Sequence, residues 1–215
     1  MARGKFITFE GGEGSGKSTQ LRRFVARLQS GGLAVVPTRE PGGTPGAEAI
    51  RKLLVEGEPG RWDAHTEALL HFAARRDHLE RLIKPALAAG KWVICDRFAD
   101  STVAYQGFGH QLGATAIKSL AKAAIGEFAP DLTMIIDIPV DIGLKRAKSR
   151  AASMLGAEDR YERFDRAFHE RVRAGFLDVA AAEPNRCVVV DGQGSEDDVA
   201  ARVLDAASNR LGVPL

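Results

Sequence analysis

Short runs of consecutive apolar residues punctuate the chain, separated by longer stretches in which apolar positions recur every three or four residues. The runs are Phe6-Ile7-Thr8-Phe9, Ala34-Val35-Val36, Trp92-Val93-Ile94-Cys95, Leu132-Thr133-Met134-Ile135-Ile136 and Cys187-Val188-Val189-Val190. Such runs read as strands buried on both faces, and their alternation with helical patterns predicts a parallel sheet covered on both sides. The expected fold class is therefore α/β, with a five-stranded parallel sheet. Between strands, residues 66–87 carry Leu69, Leu70, Ala73, Leu79 and Leu82 at helical spacing, and residues 114–125 form a second amphipathic stretch. Both are expected to pack on the sheet. Ligands of such sheets gather at the carboxyl ends of the strands. Five polar segments each follow an apolar run: residues 11–18, 39–44, Asp96-Arg97, Asp137 and Asp191-Gly192. They are expected to converge on one rim.

The first of these segments is Gly11-Gly12-Glu13-Gly14-Ser15-Gly16-Lys17-Ser18, which fits the spacing G-x-x-x-x-G-K-[ST] between a strand pattern and a helix pattern. Glycines let the backbone bend there and bring its N–H groups onto an anion, so the segment reads as a phosphate cradle. Lys17 would reach the terminal phosphates, and the Ser18 hydroxyl would hold Mg²⁺. Glu13 is the odd member. A carboxylate in an anion-binding loop repels phosphate unless it turns toward a polar group on another substrate, such as a sugar hydroxyl. At the end of the third run, Asp96 suits the Mg²⁺ shell and Arg97 suits phosphate oxygens.

The composition adds few constraints. With 215 residues and 45% hydrophobic content, the chain suits one domain, residues 1–215, with a substantial core. Thirty Lys and Arg against 28 Asp and Glu leave a net charge of +2, which lacks the general attraction of a nucleic-acid binder. Cys95 and Cys187 each sit in an apolar run and read as inert buried thiols. No apolar leader precedes the first strand and no stretch suits a membrane span, so a cytoplasmic protein is expected. Residues 146–163 hold Arg146, Lys148, Arg150, Arg160 and Arg163 around the soft segment Ala151-Ala152-Ser153-Met154-Leu155-Gly156. That pattern suits a mobile basic lid at about residues 147–163 or, equally, two solvated helix ends joined by a loop.

Three segments together are more specific than the cradle alone. Phe9-Glu10-Gly11-Gly12-Glu13-Gly14-Ser15-Gly16-Lys17-Ser18-Thr19, Arg39-Glu40-Pro41-Gly42-Gly43-Thr44 and the block from Asp96-Arg97 to Ala104-Tyr105-Gln106-Gly107 closely resemble bacterial thymidylate kinases. These belong to the nucleoside monophosphate kinases with a phosphate loop. The resemblance runs from about residue 5 to about residue 192. It implies transfer of the γ-phosphoryl of ATP to dTMP on the way to dTTP, with Mg²⁺ as cofactor and a homodimer as the assembly. It implies no nucleic-acid or membrane partner. It places ATP on Gly11, Gly12, Glu13, Gly14, Ser15, Gly16, Lys17, Ser18 and Thr19, with Arg146 and Asp191 on the donor side. Ser18 and Asp96 would take the metal. Glu13 would contact the sugar 3′-hydroxyl, and Arg97 and Arg51 the acceptor phosphate. Ser101 and Thr102 would meet the thymine edge, Tyr105 would crowd the sugar's 2′ side, and Gln106 would belong to the same segment. Positions 12–15 hold no Lys or Arg, which implies that Arg160 supplies the lid arginine beside the catalytic Lys17, Arg97 and Glu13.

One block departs from the pattern. The family stacks the base on a phenylalanine and sets an arginine four residues later on the same helix face. Counting back from Pro85-Ala86-Leu87 selects His71 and Arg75, whereas keeping residue types selects Phe72 and Arg76. Arg75 is adopted, the ring stays open between His71 and Phe72, and Phe72 joins the expected substrate-binding set. Two other readings stay open: another nucleoside or nucleoside monophosphate kinase on this scaffold, and a nucleotide-dependent switch with no second substrate.

Overall fold

Alternation of side chains along each strand sends Ile7 and Phe9 to one face of the sheet and Phe6 and Thr8 to the other. In the computed structural model, which describes residues 3–151 and 160–212, these strands form one parallel sheet of order β2-β3-β1-β4-β5. In chain order the elements are β1 (Phe6–Glu10), α1 (Lys17–Ser30), β2 (Val35–Arg39), α2 (Pro45–Val55), α3 (Ala64–His78) and α4 (Lys84–Ala88). There follow β3 (Trp92–Asp96), α5 (Ala99–Thr102), α6 (Ala114–Ile125), β4 (Leu132–Asp137) and α7 (Val140–Ala151). The chain ends with α8 (Arg166–Ala182), β5 (Cys187–Asp191) and α9 (Glu196–Leu211). A π-helical stretch, Leu79–Ile83, joins α3 to α4, and another, Val103–Gly109, continues α5.

The expected parallel, doubly covered sheet is present, and both cysteines are buried and free. On one face Leu21, Phe24 and Leu28 of α1 and Val199, Val203 and Ala207 of α9 pack on Ile7, Phe9, Met134 and Ile136. On the other, Leu79, Ile83 and Leu87 meet Phe6, Val93 and Cys95, while Phe168, Val172 and Phe176 of α8 meet Ile135.

Residues 64–88 form an unbroken helical run, but its buried side differs from the expected one. Leu69 is 55% exposed and Ala73 is exposed, whereas Ala68, Phe72, Arg75 and His78 face inward. A π turn holds one extra residue, which rotates the apolar stripe by about 100° at Leu79–Ile83. A single helical period therefore cannot describe both halves. The C-terminal half lies on the sheet; the first half packs through Ala68 and Phe72 against Ile117 of α6, which itself joins the sheet-facing cluster near its end, at Ala124 and Ile125. Of the expected lid, residues 152–159 lie outside the described residues.

The topology decides where the chemistry gathers. Strand β1 is central, and the β1–β3 register sets Asp96 beside Phe9. The segments after β1, β2 and β3 consequently open onto one cavity of about 450 Å³, whose walls include Glu13, Lys17, Glu40, Asp96, Arg97 and Tyr105.

Candidate active site

The phosphate loop ends on the N-terminus of α1. Gly14 and Gly16 take φ of 65° and 95°, and Gly16 is the helix N-cap, with no side-chain hydrogen bond closing it. The first N–H groups of α1 are thereby left to an anion. Gly14 is also fixed by space, since a Cβ there would lie 2.0 Å from the Gly143 carbonyl oxygen on α7. Lys17 is buried and donates to Gly12 O at 3.0 Å. Burial, then the charge of Arg97, pulls its pKa down to about 8 against the opposing pull of Glu13, Asp96 and Glu10. Ser15 Oγ is buried with no hydrogen-bond partner among the described residues. Ser18 donates to Asp96 Oδ2 at 2.6 Å, and both line the cavity with Thr19.

Glu13 turns away from its own loop. Its Oε1 accepts from Arg97 Nη2 at 3.0 Å and from Tyr105 Oη at 2.6 Å. Burial opposes its charge, but Arg97, Lys17 and Tyr105 outweigh burial and hold the carboxyl at about 2. Arg97 in turn donates to Gly11 O, Ser101 Oγ and Tyr105 Oη at 3.0–3.2 Å, and its guanidinium lies 4.9 Å from the Tyr105 ring centre. Its backbone is left-handed, φ 71°, which costs about 1–3 kcal/mol for a residue with a Cβ. Neighbouring bonds hold that turn: Arg97 N–H donates to Phe9 O at 2.9 Å, and Phe98 N–H to Glu10 Oε1 at 2.7 Å. Ser101 Oγ donates to Glu10 Oε2 at 2.6 Å. Glu10 was absent from the sequence-derived site, although it is the last residue of β1 and immediately precedes the loop.

The far wall of the cavity comes from α3, the π-helical stretch after α5 and the chain at Tyr161. His71, Ser101, Thr102, Tyr105, Gln106, Tyr161 and Glu162 line it, and Arg51, which donates to Pro41 O at 2.6 Å, lines it from α2. Arg22 and Arg39 also reach the cavity; Arg39 opens the 39–44 segment that the sequence singled out, whereas Arg22, on the exposed side of an amphipathic helix pattern, gave no sequence signal. The structure sends the two candidate rings in different directions. Phe72, expected to bind substrate, does not line the cavity but packs with Ala68 and Ile117, while His71 faces the cavity. Burial, then Arg75, Arg97 and Arg160, lowers the His71 pKa to about 3 despite Glu67, leaving a neutral ring whose Nε2 is 2.9 Å from Tyr161 Oη.

Arg75, expected in the substrate-binding set, is buried behind that wall and does not line the cavity, because its guanidinium is taken up by partners inside the fold. It donates to Glu40 Oε2 at 2.7 Å, Phe98 O at 2.9 Å and Thr102 Oγ1 at 3.1 Å, and lies 4.9 Å from the Phe72 ring centre. Glu40 Oε1 meets His78 Nδ1 at 2.9 Å, and His78 Nε2 meets Thr38 Oγ1 at 2.8 Å. Arg75 therefore presents Thr102 to the cavity.

Two expected donor-side arginines are placed differently. Arg146 donates to Gly192 O at 3.5 Å, beside Asp191 and outside the cavity wall. Arg160, expected as the lid arginine on ATP, is 1% exposed and engages Leu54 O at 2.9 Å, Glu58 O at 3.3 Å and Glu67 Oε2 at 2.5 Å. All three arms of its guanidinium are taken, so the structure does not bring it to the phosphate loop.

Among the described residues no group of three or more His, Cys, Asp and Glu side chains could hold a metal ion alone. The Ser18–Asp96 pair nonetheless fits Mg²⁺, which takes one or two protein oxygens and completes its shell with phosphate and water. No helix among the described residues is long and apolar enough to cross a membrane.

A family model described as thymidylate kinase matches residues 9–203. A protein named thymidylate kinase from Caulobacter vibrioides is 53% identical over 213 residues, covering 99% of this chain and 100% of the relative. One from Dinoroseobacter shibae is 54% identical over 201 residues, covering 94% and 95%. The crystal structure of thymidylate kinase from Ehrlichia chaffeensis superposes with a TM-score of 0.76 at 37% identity, covering 96% of this chain and 99% of that one.

Proposed function

This chain belongs to the thymidylate kinase family, and on that premise we propose how its cavity is shared between two substrates. The enzyme transfers the γ-phosphoryl of ATP to dTMP, giving dTDP. The ATP phosphates lie on residues 11–19, where the backbone N–H groups and Lys17 face them, and Arg146 and Asp191 flank the rest of the donor. Ser18 and Asp96 hold Mg²⁺, which when bound neutralises phosphate charge during transfer.

The acceptor occupies the other half. Arg51 and Arg97 take its phosphate, Ser101, Thr102 and Gln106 its base edge, and His71 rather than Phe72 supplies the ring beside the base. Tyr105 and Glu13 border the sugar. No strong general base is required, because the attacking phosphate oxygen is already anionic; positioning and charge stabilisation supply the rate. The observation that carries this reading is the bond set of Glu13, whose carboxylate leaves the donor loop to meet Arg97 and Tyr105.

We further assign the chain to the cytoplasm, where ATP is at hand, and to a homodimer. Arg97→Ala is the direct test of the clamp. The expected result is a fall in kcat/KM for dTMP of about a hundredfold or more, in the range for removing one partner of a buried charged pair. A change of only a few-fold would remove Arg97 from the acceptor site.

A further inference from the structure

Glu67, in the first turn of α3, is 1% exposed, yet it does not line the cavity. Its carboxylate joins three parts of the chain. Oε1 accepts from Gln106 Nε2 at 2.7 Å, and Oε2 accepts from Arg160 Nη2 at 2.5 Å. His110 Nε2 is 3.4 Å from Oε1, without the alignment of a hydrogen bond. Burial opposes the charge on Glu67, but His110, His71, Arg160 and Gln106 together hold its pKa at about 2. The remaining arms of Arg160 reach the carbonyls of Leu54 and Glu58, at and just beyond the end of α2. A planar guanidinium with every arm engaged fixes its own backbone closely.

The next residue is Tyr161. Its ring lies 5.3 Å from the Arg160 guanidinium and 5.5 Å, edge to face, from Tyr105. Its hydroxyl meets His71, one helical turn after Glu67. Arg160 and Glu67 are thus the buried footing, and Tyr161 and His71 the cavity surface built on it.

Resting on the reading of this cavity as a dTMP site, we propose that Glu67 and Arg160 are positioning residues whose buried pair holds Tyr161 against His71 and so shapes the acceptor half of the cavity. Neither touches substrate. The pair acts on dTMP binding and leaves the ATP half alone.

Steady-state kinetics of the full chain with ATP and dTMP test this, using Glu67→Gln, Arg160→Met, their double mutant and Tyr161→Phe. Glu67→Gln keeps the shape of the side chain and removes its charge, and Tyr161→Phe keeps the buried footing intact. For each of the two charge variants, KM for dTMP should rise about tenfold while KM for ATP stays within about twofold, and the double mutant should be no worse than the weaker single. Tyr161→Phe should raise KM for dTMP alone by about threefold. An unchanged KM for dTMP in Tyr161→Phe overturns the proposal, as does a rise in KM for ATP in Arg160→Met. Equal loss in every parameter together with a lowered melting temperature would make the pair a fold element only and would equally overturn it. Failure of the unmodified protein to phosphorylate dTMP would instead overturn the functional reading beneath it.

Discussion

Glu10 is wholly buried at the end of β1, where burial and then the charge of Asp100 push its carboxyl from 4.5 up to about 8 against Arg97, Ser101 and Phe98. A raised folded-state value means that the folded chain keeps a proton that the unfolded chain releases. The resulting stability is complete below about pH 4.5 and is lost as pH rises toward about 8. Glu10→Gln should therefore flatten the fall in melting temperature between about pH 5 and pH 8.5. Parallel curves for the two proteins would show that Glu10 does not titrate there. The same residue explains what a sequence conceals. The loop's glycines and Lys17 are legible because backbone curvature and phosphate charge demand them at fixed spacing. Glu10 becomes meaningful only when Phe98, 88 positions away, supplies the N–H it accepts. Arg160 misled for the same reason: a basic residue near a soft segment looks free until Glu67, 93 positions earlier, occupies it.

At the scale of elements, β1, β3 and β4 were readable because residues buried on both faces leave apolar runs, the edge strands β2 and β5 kept such runs while only partly buried, and each observed strand begins at or one residue after the start of its run. The helix over residues 64–88 was readable in extent but not in phase. Its π turn at Leu79–Ile83 shifts the stripe, and with that phase His71 rather than Phe72 lines the cavity. The phase also exposes Leu69 and, one turn on, Ala73, and Leu53 on α2, the helix packed against α3, is 38% exposed. Exposed apolar side chains on two packed helices suit a two-fold contact between copies, where each would be covered by its symmetry mate. Sedimentation should show a dimer that Leu69→Lys converts to a monomer with unchanged circular dichroism. A monomeric parent protein, or a variant that still sediments as a dimer, would move the interface off these helices.

Over the whole molecule, the central position of β1 brings donor and acceptor segments together. The loop after β1 forms one side of the cavity, β3 delivers Asp96 and Arg97 beside it, and α3 with the π-helical stretch after α5 closes the far wall. Three of the five polar segments, those after β1, β2 and β3, meet at the cavity as the order of apolar runs implied, whereas Asp137 and Asp191-Gly192 lie outside its wall; the cavity joins residues from β2, β3, α1, α2, α3 and α5. What the order of segments could not supply was which charges remain free to meet a substrate, because buried partners consume several of them. The reaction of the family requires this cavity to take ATP and a thymine deoxynucleoside monophosphate. The most direct measurement is ATP-dependent phosphorylation by the purified chain across dTMP, dUMP, dCMP, AMP and thymidine, with Mg²⁺ present. Efficient conversion of dTMP to dTDP, with kcat/KM at least about tenfold above every other acceptor, is the expected result. A preference for another acceptor, or nucleotide binding without transfer to any of them, would contradict it.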